Sequence, residues 1–174
     1  KITNQFRKYK NKLIKSSASV WAISESMIED EGGPKNMKLL YPLSEELKLN
    51  IFPTWKPEFH SSPVIFHAGT VYREIIDPLI LVARSLALLG GKLVLMTSSG
   101  ECARVVAESV PIAVEVVDPK PAADAVSFIA KNATGMIIAY PEMVEKMPWI
   151  KTCFPSKFPQ FLATGLPTLI LAPS

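Results

Sequence analysis

Residues 154–171 hold a cation, an amide and a Gly-x-Pro turn between two apolar segments. The run is Phe154-Pro155-Ser156-Lys157-Phe158-Pro159-Gln160-Phe161-Leu162-Ala163-Thr164-Gly165-Leu166-Pro167-Thr168-Leu169-Ile170-Leu171. Its spacing predicts a short helix over Gln160 to Thr164, closed by Gly165 at the position that needs a left-handed backbone. Pro167 cannot continue a helix, and Thr168 to Leu171 has the pattern of a buried strand. Ser156, Lys157 and Gln160 therefore fall at or near a helix N-terminus, where backbone N–H groups and the helix dipole favour an anion. The chemistry offered is the seating of a phosphorylated ligand. A capped helix with a solvated lysine fits the same residues.

Elsewhere the chemistry-bearing residues are sparse. His67 closes an apolar strand-like run and reads as a buried, hydrogen-bonded histidine rather than a catalytic one; His60 lies in a proline-rich loop. Neither has metal-ligand spacing, so no metal is expected. Gly69 and Thr70 follow that run, and a glycine there lets a backbone approach a phosphate closely. Arg73 stands at the start of the next helix, able to clamp a diphosphate or to pair with Glu74 or Asp77 at the surface. Glu115 and Asp118 are three apart in a strand-like segment and point to opposite faces, so they form no acid/base pair. The chain has no GxGxxG, Walker A or G-x-S-x-G motif, which argues against nicotinamide dehydrogenases, P-loop NTPases and serine hydrolases of the nucleophile-elbow type.

Positioning these residues requires a regular alternation of elements. Strands are predicted at Val64–Phe66, Lys92–Met96, Ile112–Val117, Met136–Tyr140 and Thr168–Leu171. Helices are predicted at Ile75–Leu89, Glu101–Ser109 and Ala122–Asn132, with the short helix at Lys157 last. Such a β-α-β-α series gives an α/β fold, a Rossmann-like parallel sheet with helices on both faces. Its ligands sit beyond the carboxyl ends of the strands. Those ends carry Gly69-Thr70, Ser98-Ser99-Gly100, Asp118, Tyr140-Pro141 and, through the following loop, Ser156-Lys157.

Before the alternation, Ser19–Ile23 and Met37–Tyr41 read as short strands. A helix between them starts near Ser24, with Ser26 and Glu29 fitting a capping box and Gly32-Gly33-Pro34 ending it. Residues 1–16 carry six cations and no acid, and Ile2, Phe6, Tyr9 and Leu13 share one helical face. That describes either a helix packed on a further domain or a basic amphipathic helix on an anionic membrane surface. Residues 44–63 have loop composition, with Pro53, Pro57 and Pro63.

Of the residues, 48% are apolar and 20% charged, ordinary values for a globular chain able to bury a core. A net charge of +3 does not argue for nucleic acid. Cys102 and Cys153 have no partner motif, and a reducing, cytoplasmic setting is expected. The longest apolar stretch is broken by Arg84, Gly90, Gly91 and Lys92, so it is a helix, a turn and a strand rather than a membrane span. The first residue is not Met and the last follows a strand-like run, as expected for a piece of a longer protein.

The order of these pieces resembles group 1 glycosyltransferases, the retaining enzymes of the B-type fold with two Rossmann-like domains. Pro155-Ser156-Lys157-Phe158-Pro159-Gln160-Phe161-Leu162-Ala163-Thr164-Gly165-Leu166-Pro167 is similar to the family's P-S-K-l-x-E-y-l-A-x-G-x-P, and this is the specific match. Ser19 to Met27, Lys38 to Pro42 and Phe66 to Thr70 resemble, more loosely, the end of the acceptor domain, the crossing strand and the first strand of the donor domain. The resemblance implies that residues 1–36 are the tail of an acceptor domain. Residues 37–63 would be a crossing strand and linker, and 64–174 a nucleotide-sugar-binding domain truncated at its C-terminus.

The activity implied is transfer of a sugar, of hexosyltransferase type, from a nucleotide-diphosphate donor to a saccharide or lipid-linked acceptor. No separate cofactor is implied, because the nucleotide sugar is a substrate. The diphosphate would lie near Gly69, Thr70, Arg73, Ser156 and Lys157, the ribose near Gln160, and the base against the loops after Val117 and Tyr140. Peripheral membrane contact would fall to the basic residues 1–15. Two positions depart from the family: Gln160 where it has Glu, and Thr70 where it has Arg. Catalytic residues of the acceptor domain are not named by this sequence. A non-catalytic Rossmann-like binding module and a nucleotide-sugar epimerase are the alternatives.

Overall fold

The structure, a computed structural model, describes residues 2–22, 24–40, 62–98, 100–141 and 157–172. These fall into two compact units, residues 2–40 and residues 62–141 with 157–172.

In the first unit, α1 (Ile2–Ser16) is followed by β1 (Val20–Ala22), α2 (Glu25–Asp30) and β2 (Met37–Leu39). β1 and β2 pair in parallel, Val20 opposite Met37. Asn36 ties the end of α1 to this pair by donating from Nδ2 to the carbonyls of Ile14 (2.6 Å) and Ser17 (2.8 Å). Lys10 of α1 forms an ion pair with Glu31. The cap of α2 differs from the capping box expected at Ser26. Ser24 is the N-cap, in extended conformation, and its hydroxyl accepts from the Met27 N–H at 3.2 Å. Ser24 stands one residue before the first helical residue, so its side chain faces the free N–H groups, whereas Ser26 already lies within the helix. Gly32 (φ 77°) and Gly33 (φ 62°) supply the left-handed exit, and the Gly33 N–H donates to the Ile28 carbonyl at 2.8 Å.

The second unit is built on β3 (Val64–Ala68), β4 (Lys92–Met96), β5 (Val114–Val117), β6 (Gly135–Ala139) and β7 (Thr168–Leu171), all parallel, in the order β5-β4-β3-β6-β7. The helices are α3 (Ile76–Leu88), entered through a 3-10 turn at Arg73–Ile75, then α4 (Gly100–Ser109), α5 (Ala122–Asn132) and α6 (Phe158–Leu162). Successive strand residues point to opposite faces, and two cores result. Leu93, Leu95 and Ile137 pack under Leu79, Ala83 and Leu86 of α3 and Ala103 and Val106 of α4. Val94, Met96, Phe66 and Met136 pack under Ile129 of α5. The helices thus cover both faces, as the alternating sequence predicts. β4 is apolar throughout after Lys92 because it is covered on both sides; from Leu93 to Met96 it is buried.

Among the readings that change are two boundaries and one burial pattern. β5 begins at Val114 rather than Ile112, because Ala113 turns back to Val110 through a 3.0 Å hydrogen bond and leaves Ile112 82% exposed. The short helix runs over Phe158–Leu162 rather than Gln160–Thr164. Gly165 still ends that turn at φ 68°. β7, expected to be buried, is half open: Leu169 is 50% and Ile170 46% exposed. These neighbours point to opposite faces, and β7 ends the described sheet, with a paired strand on one side only.

Candidate functional site

Sheet order places β3 between β4 and β6, so the chain leaves β3 toward one side and later returns on the other. This is the topological switch point, and a crevice opens there beyond the carboxyl ends of the strands. A cleft of about 200 Å³ lies along this edge. Its walls come from the ends of four strands: Gly69 and Thr70 after β3, Thr97 and Ser98 after β4, Pro119 and Lys120 after β5, and Lys157 and Gln160 after β6. Ala125, Val126 and Ile129 of α5 form an apolar side. The volume falls below the 300–1,000 Å³ of a drug-sized pocket, so a ligand of nucleotide size would lie along the cleft partly exposed rather than enclosed in it.

Gly69 is the structural hinge of this edge. Its N–H donates to the Met96 carbonyl at 3.0 Å, which keeps it in register with β4. It then turns at φ 145°, a conformation that side chains disfavour. Two residues later Val71, 2% exposed, locks the short loop into the core. The arm of Lys157 passes over the Gly69 backbone. A Cβ at Gly69 would lie 3.8 Å from both Cδ and Cε of that lysine. Lys157 is exposed, so its ammonium stays solvated and available. Lys120 and Lys157 are the only charged residues on the described walls, and no carboxylate joins them.

His67 is 7% exposed, and among the described residues neither ring nitrogen has a partner in strict hydrogen-bond geometry, the backbone of Ile137 and Thr70 acting on the ring more loosely. The histidine expected from the sequence is buried as expected, with loose backbone partners in place of well-formed hydrogen bonds. Both strands flanking β3 there present apolar neighbours, with Leu95 opposite His67 on β4. Burial pushes the ring's pKa below its ordinary value of 6.5. Backbone groups of Ile137 and Thr70 pull it upward, and the charge of Lys157 adds to the lowering. His67 is thus held neutral, and the positive potential of this edge belongs to the lysines.

Of the residues expected to form a site, the structure brings Gly69, Thr70, Lys157 and Gln160 to one cleft. Arg73 is exposed on the 3-10 turn and does not join the cleft wall. Ser156, Ser99, His60 and Cys153 lie outside the described residues. Sequence reasoning missed Lys120. The signal available was its place directly after Asp118-Pro119, at the carboxyl end of a predicted strand. α6 has five residues, too short for a large dipole, so the lysine arm rather than a helix terminus carries the anion-binding potential. Among the described residues no cluster could hold a metal ion, and no helix is long and apolar enough to cross a membrane.

Five parallel strands in this order, covered on both faces and open at the carboxyl edge, define a Rossmann-like α/β unit. That fold recurs in two glycosyltransferase crystal structures. One is an S. aureus TarM mutant in complex with fondaparinux, alpha-GlcNAc-glycerol and UDP, with a TM-score of 0.64 and 12% identity over 94% of this chain. The other is AviGT4, involved in avilamycin A biosynthesis, with a TM-score of 0.57 and 12% identity over 86% of this chain. The chain spans 32% of the first and 44% of the second. No family model matches the sequence, and no curated protein does. At this identity the likeness is one of fold.

Proposed function

We propose that the chain carries the donor-binding part of a glycosyltransferase that moves a sugar from a nucleotide-diphosphate donor to a saccharide or lipid-linked acceptor. The observation that carries this reading is the arm of Lys157 laid across the bare backbone of Gly69 in a cleft whose described walls lack acids. Transfer breaks the bond between the sugar's anomeric carbon and the diphosphate oxygen, and the departing nucleoside diphosphate takes up the electron pair. A fixed positive charge beside that oxygen stabilises the developing anion. Lys157 supplies it as a point charge. Thr70 and Ser98 offer hydroxyl donors, and Gln160 offers an amide to the ribose hydroxyls, accepting and donating without charge. The fold shared with parts of two glycosyltransferases supports the same reading.

Titration calorimetry with uridine and guanosine diphosphates tests the donor site. Binding that Lys157→Ala weakens supports it, and no binding to either nucleotide sinks it. Product analysis with the corresponding nucleotide sugars, with and without an acceptor, separates transfer from epimerisation. Epimerised nucleotide sugar formed without acceptor would contradict the transferase assignment.

Peripheral membrane contact rests on a different observation. Arg7, Lys8, Lys12 and Lys15 are exposed on α1, and Tyr9 (66%) and Leu13 (52%) are exposed on the same helix. Cations flanking exposed apolar groups suit an anionic bilayer. Co-sedimentation with vesicles containing phosphatidylserine, and loss of it for Lys8→Glu with Lys12→Glu, is the expected result; equal sedimentation of the variant would contradict it.

A further inference from the structure

We infer that Lys120 is a specificity-determining residue that selects a nucleobase presenting a carbonyl, uracil or guanine, over one presenting an amino group, cytosine or adenine. The inference rests on the donor-site reading and deepens it. The cleft is chemically divided. Its β3 side carries Gly69, Gln160 and Lys157, and its β5 side carries the apolar wall of α5 together with Lys120. β4 lies between β3 and β5, so the two ends stand two strand spacings apart, about 10 Å. That span exceeds one diphosphate and matches a nucleoside diphosphate lying across the strand ends. With the phosphates at Lys157, the flat base falls against Ala125 and Val126, beside Lys120.

Lys120 is held at that end. Its Nζ sits 4.7 Å from the centroid of the Phe128 ring. Phe128 in turn packs edge-on against Phe66 of β3, with centroids 6.0 Å apart and planes at 74°. A cation seated on a ring face is attracted by its quadrupole, and this ring is anchored in the core. The ammonium is therefore biased toward the α5 wall rather than toward Lys157. An ammonium has three donors and no acceptor. It matches the 4-oxo group of uracil and the 6-oxo group of guanine. The amino groups at the same positions in cytosine and adenine offer only donors to it, so that hydrogen bond is lost.

The test is a calorimetric panel of uridine, guanosine, cytidine and adenosine diphosphates against wild type, Lys120→Met, Lys120→Glu and Lys157→Ala. Lys120 is exposed, and thermal melts confirm that each variant is folded. Wild type is expected to favour the carbonyl bases by about tenfold, the scale of one charge-assisted hydrogen bond. Lys120→Met should reduce that preference to about twofold, and Lys120→Glu should invert it. Lys157→Ala should weaken all four nucleotides alike and keep the preference. A wild-type protein without the preference, or a Lys120→Met variant that retains it, overturns the role of Lys120 while leaving the donor site standing. Failure of wild type to bind any of the four overturns the donor-site reading itself, and this inference with it.

Discussion

The two edges of the five-stranded sheet both rely on glycine, for opposite reasons. At the amino edge Gly91 precedes β4, and a Cβ there would lie 2.4 Å from the Pro63 carbonyl oxygen and 2.8 Å from its Cγ. Gly135 opens β6, where a Cβ would meet Ile65 Cδ1 at 3.1 Å and the Pro167 carbonyl oxygen at 3.2 Å. This edge is closed: backbone packs on backbone, and the Lys92 N–H donates to Pro63 at 2.8 Å. At the carboxyl edge a Cβ on Gly69 would meet, among the described residues, only the flexible arm of Lys157, at ordinary contact distance. There the constraint is the backbone itself, at φ 145°. One edge excludes side chains to hold the sheet together. The other keeps a bare backbone beside a lysine in an open cleft, the arrangement on which the proposed donor site rests.

The largest effect should come from the closed edge. Gly91→Ala forces the start of β4 away from Pro63, an overpacking conflict of about 3 kcal/mol. Chemical denaturation should show a lower midpoint with an unchanged slope; a midpoint equal to wild type would remove the contrast between the edges. Gly69→Ala should cost about 2 kcal/mol through backbone strain alone. Because space is available, its stability loss should be smaller than that of Gly91→Ala and its loss of ligand binding larger. The reverse ranking would contradict the division of labour.

A pH-dependent effect sharpens the same comparison from beneath the cleft. The folded pKa of His67 is lowered by burial, so the unfolded chain binds its proton first as pH falls below about 6.5. Stability linked to this group is present above that pH and is lost as pH descends toward the folded pKa. Thermal unfolding followed from pH 7.5 down to 5 should show that loss in wild type and a shallower one in His67→Leu. Parallel profiles would mean that the buried ring is not the source. The smallest effect belongs to Gly100, which begins α4 with nothing near a would-be Cβ and no positive φ. Gly100→Ala should be neutral or stabilising by about 0.5 kcal/mol, and a marked loss would point to a role in the cleft.

Much of the fold was legible because the alternation is written locally. The bounds of β4, α5 and β7 match the sequence reading, since each is bracketed by punctuation: Gly90-Gly91 before β4, Pro121 before α5, and Gly165 with Pro167 before β7. The candidate cleft was legible as far as strand ends could be located, and Gly69, Thr70, Lys157 and Gln160 line it together. What failed depended on distant neighbours. The exposure of Leu169 and Ile170 follows from strand order, which no local pattern records. The weak hydrogen bonding of His67 follows from the apolar strands beside it. Arg73 faces solvent because a 3-10 turn, rather than a direct entry into α3, sets its direction. Lys120 was missed because its place depends on Phe128, a full two turns further along the chain.

Under the proposed function, Lys157, laid over Gly69 at the switch point, meets a diphosphate. The most direct test of that contact compares affinity for a nucleoside diphosphate with affinity for the parent nucleoside, in wild type and in Lys157→Met, at low salt. The diphosphate should lose at least about tenfold in the variant, as expected when one charge-assisted contact is removed, while the nucleoside is unaffected. Equal diphosphate affinity in the two proteins, or a parallel loss for nucleoside and diphosphate, would contradict the account.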